Sequence, residues 1–188
     1  MAMVDRIKGI LLAPKSEWPK IAAEPASVQS IYTNWIMILG LIGPVMLLVL
    51  TVMVGSLSVI AAVGSYVNTL VGCAIVALIA DLIAPTFGGR RDYVAGLKLV
   101  AYAATPVWIA QVALIVPILG SLVVLAAMIY AVYLVFLGAP VLAKASSDKA
   151  VPFTIALLLC AIVVGYLMMR ILFATGAGGP MGLGTPHL

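Results

Sequence analysis

Five long apolar stretches, joined by connections that alternate between cation-bearing and cation-free, constrain this chain more than any other feature. A helix needs about 20 apolar residues to cross the hydrocarbon core of a bilayer. The pattern places five spans at 34–54, 64–85, 95–116, 118–142 and 152–173. The apolar run from 99 to 143 is too long for one crossing, and Pro117 with Gly120 marks the turn that divides it. Composition agrees with lipid as the main solvent. The chain is 65% apolar and 9% charged, whereas soluble domains carry about a quarter charged residues. The fold class is therefore all-α and polytopic, with five transmembrane helices and a short N-terminal amphipathic helix at the interface.

The cations then orient the spans. Arg6, Lys8, Lys15 and Lys20 precede the first span, Arg90, Arg91 and Lys98 surround the second connection, and Lys144 and Lys149 lie in the fourth. The stretch from Gly55 to Val63 and the third connection carry none, and Arg170 alone lies towards the other side. Nine against one predicts a cytoplasmic N-terminus and an exported C-terminus. Residues 1–33 then form a cytoplasmic interfacial segment, 34–173 the membrane domain and 174–188 an exported tail. The tail is rich in glycine and proline and is expected to be flexible. No cleavable signal is expected, because the run Gly9-Ile10-Leu11-Leu12-Ala13 stops at Pro14, short of the roughly 7–15 apolar residues a signal requires.

Val4, Ile7, Ile10 and Leu11 recur at helical spacing, as in an amphipathic helix lying among headgroups. A second helix start is expected at Ser16, whose hydroxyl would cap it. Trp18 is read as an interfacial anchor. The segment serves either as a surface anchor or as a platform for a cytosolic partner.

The second span bears the most patterned polarity. Ser65, Thr69, Cys73, Ala77 and Asp81 recur every four residues, with Gly64, Asn68, Gly72 and Ala80 on an adjoining stripe. Val67, Leu70, Val71, Leu78 and Leu82 form a bulky opposite face. Small residues permit close helix approach, so the span is expected to be the most buried of the bundle. Alternatively, the stripe lines a solute path with Asn68 and Asp81 as its polar contacts. Asp81 is expected to pair with Arg90, Arg91 or Lys98. Arg170 is too far, since eighteen residues from Pro152 amount to about 27 Å of helix; it is expected to snorkel outward or to meet carbonyls. Arg90, Arg91 and Lys98 are also candidate contacts for anionic lipid.

No H-E-x-x-H, G-x-S-x-G or phosphate-binding glycine loop occurs. Cys73 and Cys160 are isolated in apolar stretches and read as packing residues, and His187 lies in the tail. No enzyme activity, cofactor, metal site or nucleic-acid partner is expected.

Three segments carry a family resemblance: Arg6-x-Lys8-x-Ile10-Leu11-Leu12-x-Pro14-Lys15-x-Glu17-Trp18-Pro19, Ala101-Tyr102-Ala103-Ala104-Thr105-Pro106, and Tyr130-x-x-Tyr133-Leu134-x-x-x-Leu137-Gly138. In this order they resemble bacterial members of the Yip family, membrane proteins named for interaction with Ypt/Rab GTPases. The resemblance implies five spans, an exported C-terminus and a bacterial inner-membrane location. The leading expectation is action through assembly with itself or within a larger membrane complex, the alternative a small-solute or ion pathway along the second span. Eukaryotic relatives contact GTPases through a longer cytosolic N-terminal region that this chain lacks, which speaks against a GTPase partner.

Overall fold

Prolines set the limits of the N-terminal helices. In the computed structural model, which describes residues 3–53, 55 and 59–174 (without the side chains of Pro117 and Phe173), helix α1 runs Met3–Leu12 and α2 runs Pro14–Ala23. A residue before proline is pushed out of the helical region. Ala13 accordingly sits at φ −142°, ψ 54°, and Glu24, before Pro25, is extended. The second helix thus begins with Pro14 in its first turn, where proline is well tolerated, and not at Ser16 as expected. Ser16 lies inside α2 and its hydroxyl donates back to the Ala13 carbonyl.

Five helices long and apolar enough to cross a membrane follow: Val28–Met53, Val59–Phe87, Tyr93–Ile115, Ile118–Ala143 and Ser147–Leu172. They correspond to the five expected spans, and no strand occurs among the described residues. Several begin earlier than apolarity alone predicts, because polar caps extend them. Ser27 and Ser30 form a reciprocal capping box before the first span. Asp92 accepts from the Ala95 N–H at 3.0 Å at the start of the third. The first span is interrupted at Gly40 and Leu41, where Pro44 has no N–H to give back to the helix.

The expected division after the third span is sharper than a loop. Val116 alone is extended, at φ −111° and ψ 95°, between one helix ending at Ile115 and the next beginning at Pro117. A Cβ on Gly120 would collide with the Ala113 carbonyl. Only glycine lets the two spans return this tightly.

The third span, not the second, is the centre of the bundle. In their most apolar stretches 44% of its residues are buried, against 22% for the second span and 6% for the fifth. It packs against the first, second and fourth spans, while the fifth rests on the second and fourth. At Gly96 an added Cβ would lie 2.9 Å from the Ala77 carbonyl, so the second and third spans approach backbone to backbone. Cys73, Ala77, Ala80 and Ala84 fill that contact and are buried. Val67, Val71, Leu78 and Leu82 face outward as expected, whereas Leu70 packs on the core.

The upper half of the small-residue stripe departs from the expectation. A Cβ at Gly72 would meet nothing within 4 Å, and Asn68 lies in an outer groove. The reason is geometric. Four residues advance an α-helix by about 400°, so a stripe repeating every four residues rotates about 40° per step. From Asp81 back to Ser65 it winds to a different side of the helix.

Candidate functional site

The basic end of the bundle holds the densest set of polar contacts, and it is built around the N-terminal hairpin. Arg6, on α1, is 4% exposed; its guanidinium reaches Glu17 at 2.7 Å and also pairs with Glu24. Glu17, on α2, is 3% exposed and also receives Lys20 at 3.0 Å. A Cβ at Gly9 would touch the Glu17 carboxyl, which shows how closely the two helices meet. Ile10, Trp18 and Ile21 turn inward to the same core as Leu97, Leu99 and Leu134.

Both helix C-termini of this hairpin are capped by the spans. Terminal carbonyls of a helix lack intrahelical partners and attract positive charge. Lys98 of the third span donates from Nζ to the Ile21 carbonyl at 2.8 Å and the Glu24 carbonyl at 2.5 Å. The Tyr130 hydroxyl of the fourth span is shared between the Leu11 and Ile10 carbonyls, at 3.0 and 3.3 Å. The hairpin is thereby an integral part of the fold, held at its helix ends by the third and fourth spans.

Trp18 accordingly has a different role from the one its position suggested. It is 1% exposed, so its ring anchors the hairpin to protein and not to lipid. Gly138 makes the room, since a Cβ there would lie 2.5 Å from Leu99 and 3.0 Å from the Trp18 ring. The indole N–H has no acceptor among the described residues. The other signature segment joins the same core. Trp35 of the first span donates to the Thr105 hydroxyl at 3.1 Å and stacks, tilted, on Tyr102 with centroids 4.6 Å apart.

Beside the hairpin lies a cleft of about 420 Å³, lined by Ala22, Ala26, Arg90, Asp92, Val94, Ala95, Lys98, Val141, Leu142 and Lys144. Arg90 and Lys98, expected to act together, do meet here. Arg91 does not line the cleft. Lys144, which the sequence marked only as a topological charge, takes its place. Lys98 is buried and held by two carbonyls, so it is a wall of the cleft more than an exposed lipid contact.

Asp81 forms no ion pair among the described residues, contrary to the expected partnership with Arg90, Arg91 or Lys98; its buried Oδ1 has no hydrogen-bond partner. For Lys98 the reason is competition, because the hairpin carbonyls have taken its ammonium group. Asn68 lies far along the same helix, in a groove of about 260 Å³ between the second and fifth spans with Gly64, Val67, Val71, Met168, Ile171 and Leu172. A third cavity, about 270 Å³, lies among the second to fifth spans; its lining is apolar apart from Gln111 and Thr154. Asn68 and Asp81 share none of these three cavities. Arg170 folds onto Tyr166 of its own helix, 6.0 Å above the ring centre. Both cysteines are free.

What sequence reasoning missed was the mutual contact of the signature segments. Arg6, Glu17 and Trp18 come from one, Tyr130 and Gly138 from another, and their closeness joins residues over a hundred positions apart. The opposite charges of Arg6 and Glu17, on two short helical segments parted by Pro14, were the available signal. Searches of curated proteins and of solved structures give no match. A model of the Yip1 domain, in contrast, matches residues 8–168, which takes in most of the hairpin and all but the last turn of the fifth span. This multi-pass membrane protein therefore belongs to the Yip1 domain family.

Proposed function

We propose that the chain acts without catalysis, by assembling with itself or as an accessory or organising subunit of a larger membrane complex. We place it in a bacterial cytoplasmic membrane, as its resemblance to bacterial Yip proteins implies, with its basic end cytoplasmic and its C-terminus exported, as the cation distribution supports. The observation that carries the assembly reading is Asn68. Its amide lies in an outward groove whose other lining residues are apolar or glycine, and no hydrogen bond to it forms among the described residues. Side-chain amides in lipid associate helices by bonding across the contact. Gly64 beside Asn68, and open space at Gly72, leave room for another helix to approach.

Replacing Asn68 by Leu tests this reading. The monomer is expected to keep its stability, because the amide bonds to nothing among the described residues. Self-association, measured by energy transfer between labelled copies in liposomes at varied protein-to-lipid ratio, is expected to weaken by about 0.6–2 kcal/mol. Unchanged association of the variant would remove the groove from the assembly surface.

A further inference from the structure

We infer that the cleft between the N-terminal hairpin and the ends of the third and fourth spans binds the phosphate of an anionic phospholipid. The reading goes beyond assembly and does not depend on it. Arg90 and Lys144, with the carbonyl-bound Lys98 in the wall, face a single carboxylate, Asp92, across a space of about 420 Å³. Asp92 is already engaged as the cap of the third span, accepting from the Ala95 N–H. The excess positive charge therefore has no internal counterion among the lining residues.

The two connections that carry Arg90 and Lys144 are fastened to one another. The Arg90 N–H donates to the Ala143 carbonyl at 3.4 Å, and the Ser146 N–H donates to the Phe87 carbonyl at 3.1 Å. Gly89 lies so close to the Ala143 carbonyl that a side chain there would collide. Lys144 itself is left-handed, with φ 55°, a conformation that costs a non-glycine residue free energy. Local sequence would place such a kink on glycine. Here a strained backbone holds a cation at the mouth of the cleft instead.

Depth and lining select the source of the phosphate. Asp92 starts the third span and Lys144 follows the end of the fourth, so the cleft lies at the level where the apolar stretches end. Ala22, Ala26, Val94, Val141 and Leu142 make up the rest of its wall. A diacyl lipid can set its phosphate among the cations and continue along apolar surface. Free phosphate uses only the first of these contacts.

The test uses the full chain in uncharged detergent, with acylation of Lys144 by an amine reagent followed by peptide mass spectrometry. Dihexanoylphosphatidylglycerol is expected to protect Lys144 severalfold and to leave the exposed Lys149 unprotected. Dihexanoylphosphatidylcholine is expected to protect neither. Arg90→Gln should raise the half-protecting concentration about fivefold, the share expected of one surface cation, while Arg91→Gln leaves it unchanged. Native mass spectrometry of Lys144→Gln gives an independent reading, with fewer phosphatidylglycerol molecules retained than by the parent chain. Equal protection by phosphatidylcholine, or undiminished lipid binding in both Arg90→Gln and Lys144→Gln, would overturn the site. Inorganic phosphate that protects as well as phosphatidylglycerol at the same concentration would overturn the lipid assignment and make the occupant a soluble anion.

Discussion

The two ends of the bundle treat their polar residues in opposite ways. At the basic end Arg6, Glu17 and Lys98 are 4%, 3% and 6% exposed, and each is bonded inside the protein. Towards the other end Asn68 lies in an outward groove beside a fifth span that is 6% buried along its most apolar stretch. Ile162, Val163, Tyr166 and Leu167 of that span are exposed. The basic end is closed by the chain itself, through a hairpin that lies outside the spans. The other end leaves its surface to lipid or to another protein. Internal satisfaction requires a separate element to supply partners, and among the described residues such an element, the hairpin, lies at the basic end.

The largest effect that separates the ends is expected from Arg6→Ala. It would leave the buried Glu17 with only the half-exposed Lys20 as counter-charge, at a cost of about 2–4 kcal/mol, somewhat below that of a wholly unpaired buried charge. Unfolding titrated with dodecyl sulfate should show that loss, and hydrogen exchange should show residues 3–24 opening. Pairing Arg6→Met with Glu17→Leu should recover much of it, because an apolar pair of similar volume often matches a buried ion pair. If Arg6→Ala cost no more than Asn68→Ala, the contrast between the ends would be lost.

Next in size are the glycines. Gly138→Val drives a side chain into Leu99 and Trp18, and Gly96→Val into the Ala77 carbonyl; each is expected to cost about 1–3 kcal/mol. Gly72→Val meets open space and should leave monomer stability within about 0.5 kcal/mol, as surface changes do. Equal damage at Gly72 and Gly96, read from folded yield and unfolding midpoint, would mean that the outward groove is filled in the monomer.

Lys98→Met sharpens the picture of the hairpin. Hydrogen bonds from a charged donor contribute about 1.5–3 kcal/mol net. Part of this is offset because the variant no longer buries an ammonium group, so a loss nearer the lower bound is expected. The effect should be confined to faster exchange in residues 14–24, with the spans unaffected.

The smallest effect is expected at Asp81. The sequence argues for a charge partner there, and hence for a modest loss in Asp81→Asn. With no ion pair among the described residues and an unpartnered Oδ1, removal of the charge should leave stability unchanged or raise it by less than about 1 kcal/mol, since an uncompensated carboxylate near a membrane boundary is itself unfavourable. A clear loss in the dodecyl sulfate titration would show that a cation reaches Asp81 in the folded protein.

Much of this was legible because each signal was local. Apolar length marked the five spans, and Pro117 with Gly120 marked the turn that proved to be a single extended residue. Ser27 and Asp92 cap the first and third spans outside their apolar stretches, so those helices begin before hydropathy alone indicates. The candidate site was harder. Trp18 beside a membrane reads as an interfacial aromatic, and nothing near it in sequence announces that Gly138 leaves a space for its ring. Lys98 and Arg91 look alike as cations beside a span, yet one is buried against the carbonyls of α2 and the other does not line the cleft.

The sequence by itself determined the solvent of this protein and the number of its crossings, because hydrocarbon requires backbone bonds to close internally, and an apolar run of about 20 residues does so as a helix. It also determined where helices could begin and end at prolines, since a proline ring acts on its immediate neighbours. Only the tertiary structure decided which helix is central and which polar residues are satisfied. In lipid an apolar side chain is nearly as well solvated outside the bundle as inside it, so hydrophobicity cannot sort the faces. Those choices fell to steric fit at Gly96 and Gly138 and to the carbonyls that α1 and α2 present to Tyr130 and Lys98. Such contacts link distant positions, and they exist only once the chain has folded back on itself.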